Sequence, residues 1–130
     1  MNITMKSSKN INRAIWSLNI LMGIVIVAGI YFSTYNLVNY HEKVHQAIYE
    51  EYGIESKITI NKFTLTGITS TTNASLCNEY CTLAHNQNEI VGYHMMGLLD
   101  GIWIILVVIF LVIVIWSTLG LIIDNSSKKE

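Results

Sequence analysis

The sequence predicts a mainly α-helical membrane protein in which two transmembrane helices flank a helical extramembrane loop carrying one strand or a short hairpin. Three observations carry that expectation. The chain of 130 residues is 52% hydrophobic and only 13% charged, with a mean hydropathy of +0.42, an unusual balance for a soluble domain. Its apolar residues are concentrated in two uncharged blocks, Ala14 to Phe32 and Gly101 to Ile123, each able to span a hydrocarbon core of about 30 Å. The segment between them changes from a helical to an alternating pattern and back.

Taken in order, residues 1–13 are polar and lack an apolar period, so they read as a disordered tail. The first transmembrane helix is expected over 14–35, with Trp16 at one end and Tyr31 and Tyr35 at the other as interface anchors. Its apolar block is longer than the core of a usual signal peptide and lacks a small-residue cleavage site, which favours an uncleaved span. Lys6, Lys9 and Arg13 precede this span, and Lys128 and Lys129 follow the second. By the positive-inside rule both termini are cytoplasmic and the loop over 36–96 is extracytoplasmic.

No proline occurs, and no glycine interrupts the chain between Gly29 and Gly53, so the first helix is free to run on beyond the membrane surface. Leu37, Val38, Val44, Ala47 and Ile48 recur at helical spacing, and Glu50, Glu51 and Gly53 read as its polar end and stop. Lys57 to Gly67 alternates between apolar and polar residues and is rich in β-formers. Asn73 or Ser75 is expected to cap a further helix from Leu76 to about His94. Asn73-Ala74-Ser75 is also a glycosylation sequon. Cys77 and Cys81 are four apart, which leaves a disulfide and two free thiols equally open, because a bridge would require the helix to be distorted there. The second span, 97–123, begins with Gly97-Leu98-Leu99-Asp100-Gly101, a pattern that favours close helix packing, and is bracketed by Trp103 and Trp116. Residues 124–130 read as a second disordered tail.

The chemistry is concentrated in His41-Glu42-Lys43-Val44-His45. On a helix, residues four apart share a face, so His41 and His45 can aim two imidazoles at one zinc ion while Glu42 reaches a water in the open position. If the first helix continues, His41 lies on the order of 10 Å beyond the apolar boundary. A catalytic zinc needs a third protein ligand. Glu89, His85 and His94 are the leading candidates among the loop's histidines and acids.

With Asn88-Glu89 downstream, this motif resembles the gluzincin branch of the zinc metallopeptidases. The resemblance implies that His41, His45 and Glu89 bind zinc and that Glu42 activates water. The chain differs from the family pattern at Lys43, where an uncharged residue is usual, and at Tyr93, where an acid is common. His85, Glu89 and Tyr93 share one helical face, so His85 or Tyr93 can donate a hydrogen bond to a developing oxyanion. The loop is accordingly expected to be zincin-like. The function expected is a membrane-bound zinc metallopeptidase, with a peptide or protein substrate and the lipid bilayer as partners and a homo-oligomer left open. The alternative is a non-catalytic structural or partner-binding two-span protein in which the motif is coincidental. No basic patch with interleaved aromatics is present, so no nucleic-acid partner is expected.

Overall fold

The structure, a computed structural model, describes residues 3–127. Two long helices flank a small antiparallel hairpin: α1 (Ile3–Glu51), β1 (Ser56–Asn61), β2 (Thr66–Thr71), a short 3-10 turn (Ala74–Leu76) and α2 (Glu79–Ser127). Both helices are long and apolar enough to cross a membrane. They divide into two compact units, one formed by residues 1–29 with 102–130 and the other by residues 30–101.

α1 continues without a break through the H-E-x-x-H motif, as its lack of proline and of internal glycine near the motif led us to expect. It also begins earlier than expected. The residues assigned to a disordered tail are helical from Ile3, since extending an existing helix avoids the cost of nucleation and nothing before Gly23 opposes it. α2 likewise continues through Asp124 to Ser127; Met1, Asn2 and residues 128–130, including Lys128 and Lys129, lie outside the described residues.

Gly53 ends α1. Its φ of +70° is open to glycine and strained for other residues, and it permits Ile54 N–H to reach Tyr49 O at 2.9 Å while Gly53 N–H reaches Glu50 O at 3.0 Å. This paired bonding satisfies carbonyls of the last turn and turns the chain into β1, with Ile54 buried beneath it. The sequence left open a strand or an irregular hairpin; the structure forms a regular one, with Ser56 opposite Thr71 and Ile60 opposite Gly67. Ser56, Ile58 and Ile60 of β1 share the covered face with Gly67, Thr69 and Thr71 of β2.

The start of α2 differs from expectation. Neither Asn73 nor Ser75 caps it: Asn73 makes no side-chain cap bond, and Asn78 does so instead, its Oδ1 accepting from Cys81 N–H at 3.0 Å. Cys77 consequently lies outside the helix in extended backbone, and this frees it to form a disulfide with Cys81 across a Cα–Cα distance of 5.3 Å. The distortion a bridge requires is thus supplied by the helix starting after Cys77.

Within the unit formed by residues 1–29 and 102–130, close approach occurs at glycines other than those of the G-x-x-x-G pattern. A Cβ added at Gly29 would lie 2.5 Å from the Trp103 ring, and one at Gly23 would lie 3.4 Å from Phe110. Trp103 therefore packs on a helix rather than serving only as an interface anchor. Asn19 is buried there and donates to Ser117 Oγ at 2.9 Å, a polar contact across two apolar helices. Gly97 and Gly101, by contrast, have nothing within 4 Å of an added Cβ, so the close packing expected at Gly97-x-x-x-Gly101 does not occur there. Gly53→Ala meets no atom within 4 Å yet must adopt a positive φ. It is expected to lower stability by about 1 kcal/mol, read from denaturant unfolding in detergent micelles.

Candidate metal centre

The candidate centre lies in the unit formed by residues 30–101, where the end of α1 faces the first turns of α2. A helical period places Val38, Glu42 and His45 on the most buried face of α1, and Glu42 and His45 are only 6% and 8% exposed. Buried polar groups need partners or a function.

His45 has both. Its Nε2 lies 3.2 Å from Glu89 Oε1 and 3.1 Å from His41 Nε2, and Glu89 Oε2 lies 3.7 Å from His41 Nε2. Three ligand-capable groups, two from α1 and one from α2, are thus turned toward one point, and their ligand atoms all fall within 4.8 Å of one another. Ligand atoms held tetrahedrally about 2.0–2.1 Å from an ion are spaced by about 3.3 Å, which is the scale of this triangle. Of the candidates for a third ligand, Glu89 is the one that meets both motif histidines. His94 turns its Nδ1 onto Ile90 O of its own helix at 2.8 Å. Cys77, Cys81 and His85 form a second group of potential ligands, but the bridge between the cysteines removes both thiolates.

His85 occupies a place other than the one its helical face suggested. Its Nδ1 lies 2.6 Å from His45 Nδ1, with the two rings stacked at 4.8 Å, and Tyr49 covers it at a centroid distance of 4.2 Å. Its Nε2 is buried without a hydrogen-bond partner. Burial, then the neighbouring His45, pushes the His85 imidazole below the ordinary histidine range, with Glu89 opposing. The uncharged ring can accept an Nδ1–H from His45, which leaves the His45 Nε2 lone pair facing Glu89 and His41. His85 therefore meets the Nδ1 side of the His45 ring, opposite the nitrogen that faces His41 and Glu89.

Glu42 is fixed from β2. Thr69 Oγ1 lies 2.7 Å from Glu42 Oε2 and 3.0 Å from Glu42 O, so its single proton can be donated to either. Gly67, on the same face of β2, approaches so closely that an added Cβ would collide with the Glu42 side chain, its Cδ at 2.8 Å. Gly92 performs the same service for His41, whose Nδ1 would lie 2.5 Å from an added Cβ. Asn88 Nδ2 donates to His41 O at 3.2 Å and ties α2 to α1 at this level. Tyr93, 75% exposed, borders with Glu42 and His41 a cleft of about 260 Å³. A second cleft, bordered by His45, Thr69 and His85, shares Glu42, Gly67 and Glu89 with the first.

No protein-family model, curated protein or solved structure matches this chain.

Sequence reasoning does not point to Thr69, Gly67, Gly92 or Tyr49 at this centre, and it gives Asn88 only as the neighbour of Glu89. A glycine inside a strand, or mid-helix, is a sequence signal of close backbone approach that could have drawn attention to Gly67 and Gly92. Gly92→Ala is expected to weaken binding of a divalent metal by about tenfold or more, whereas Gly97→Ala, which meets open space, leaves it unchanged. His85→Ala is expected to weaken it by about 10- to 100-fold. Competition titration against a chromogenic chelator measures all three.

Proposed function

We propose that this chain is a membrane-bound zinc metallopeptidase that hydrolyses peptide bonds. The observation that carries the reading is the convergence of His41 Nε2, His45 Nε2 and Glu89 on one point, beside a buried carboxylate, Glu42, that is not needed as a ligand. Two imidazoles and one carboxylate, with further coordination left for water or substrate, form a donor set suited to catalytic zinc. His41, His45 and Glu89 hold the ion on this reading. When bound, zinc supplies a Lewis acid that polarises a carbonyl and lowers the pKa of a water.

The chain's own residues do the rest. The Glu42 carboxylate takes a proton from the attacking water as the new C–O bond forms and the carbonyl electron pair moves onto oxygen; when that tetrahedral oxyanion collapses the C–N bond breaks, and the proton passes from Glu42 to the leaving amine. Thr69 holds Glu42 in one rotamer, and His85 holds the His45 ring. Tyr93, exposed at the rim of the cleft, is the group that can donate to the oxyanion.

Three observations support placement in a membrane with the site outside the cytoplasm. The helices are of spanning length and apolarity, and Lys6, Lys9, Arg13, Lys128 and Lys129 lie outside the two apolar blocks near the termini, against Lys43, Lys57 and Lys62 spread along the connecting loop. A disulfide at Cys77–Cys81 also suits an oxidising compartment.

Glu42→Gln is expected to retain one zinc per chain and to lower peptide hydrolysis by about 10²–10⁴-fold or more. Metal analysis and a quenched-fluorescence peptide assay on protein in detergent micelles check both halves. A variant that cleaves as fast as the parent would refute the role assigned to Glu42.

A further inference from the structure

The two clefts that meet at Glu42, Gly67 and Glu89 differ in character. On one side of the site the walls include Leu37, Val38, Leu65 and Met96, with Thr66 and Tyr93 beside them, and on the other they include Thr69, His85 and Asn86, with Tyr49 and Ile68. The apolar side also has a direction along the chain. Leu37 and Val38 lie one turn before His41, on the side from which α1 arrives out of its apolar stretch. Met96 lies two turns after Glu89, on the side toward which α2 leaves into its own.

The hairpin turn reinforces that direction. Asn61 Oδ1 accepts from Phe63 N–H at 2.9 Å and from Thr64 N–H at 3.3 Å, and Tyr31 O–H donates to Lys62 O at 3.3 Å. The tip of the hairpin is therefore held beside Tyr31, in the part of α1 where an interfacial aromatic is expected, and it presents a fully exposed Phe63 there. Leu65, the last residue of the turn, holds a φ of +52°, a conformation in which leucine is uncommon, and in it lines the apolar cleft.

We propose that the substrate is a membrane-anchored polypeptide, cut just outside the bilayer, with an apolar side chain on its membrane-proximal side seated against Leu37, Leu65 and Met96 and polar residues passing Thr69 and Asn86. This inference rests on the peptidase reading and names the substrate class for it. A chain leaving the bilayer presents its residues in that order, apolar first and polar beyond, and the two clefts present their walls in the same order. The exposed Phe63 keeps the apolar cleft at the depth where such a chain emerges.

The test uses the full chain reconstituted in phosphatidylcholine vesicles with single-span polypeptides carrying Leu, Ala or Asp in the first residues outside the bilayer. The same flanking sequences are supplied as free peptides, and cleavage positions are read by mass spectrometry. The expected result is cleavage within the first few residues outside the bilayer, with Leu preferred over Asp on the membrane-proximal side by about tenfold or more and free peptides cut more slowly by a similar factor. In Leu65→Asn, which tolerates the positive φ but removes the apolar wall, the Leu-to-Asp preference falls several-fold. Free and anchored sequences cut equally, or no preference for Leu, would overturn the inference and leave the peptidase reading standing. A parent protein that cuts none of them would remove both.

Discussion

Two imidazole nitrogens and a carboxylate turned toward one point constitute the constraint on which the rest of the structure depends. His41 and His45 come from one helix and Glu89 from the other, so the constraint can be met only where α1 and α2 lie side by side. The neighbouring sequence is arranged to allow it. Gly92 leaves room for the His41 ring and Gly67 for Glu42, while Asn88 bonds the His41 carbonyl and His85 meets the far nitrogen of His45. The left-handed stop at Gly53 has the same purpose at longer range, since it returns the chain as a hairpin whose second strand brings Thr69 to Glu42.

Little else in this unit is buried. Among its described residues the buried apolar side chains are Val38, Ile54 and Cys81, and the buried polar ones are Glu42 and His45. A core of that size contributes a small fraction of what a soluble domain requires. On the reading proposed above, the bilayer solvates the apolar faces of α1 and α2, and the bridge at Cys77–Cys81 and the metal secure the rest. Metal affinity and folding of the hairpin unit are then linked, because the ion binds groups that only the folded unit brings together.

The parts of this architecture legible in the sequence are those written in period and composition. The two apolar blocks, the uninterrupted helix through His41 and His45, the stop at Gly53 and the alternating segment after Lys57 each follow from local chemistry. Glu89 was legible by a different route, through its resemblance to the gluzincin pattern, and the structure places it against both motif histidines. What was not legible depends on contacts between distant segments. No local pattern shows that Thr69 reaches Glu42, or that Trp103 rather than a second glycine sits against Gly29. His85 was assigned to the correct face of α2, yet helical spacing does not tell which nitrogen of a ring meets which neighbour. The start of α2 was missed because Asn73, Ser75 and Asn78 are all competent caps, and the choice of Asn78 is tied to the bridge that leaves Cys77 outside the helix.

The central claim is that His41, His45 and Glu89 together hold one zinc ion. X-ray absorption at the zinc edge on the metal-loaded protein tests it most directly, because nitrogen and oxygen ligands are separated from sulfur by bond length. The account predicts one zinc per chain with a first shell of nitrogen and oxygen at about 2.0–2.1 Å, imidazole scattering from two histidines, and no sulfur. A sulfur shell at about 2.3 Å, which would direct the ion to Cys77 and Cys81, or a protein that retains no stoichiometric zinc, would contradict it.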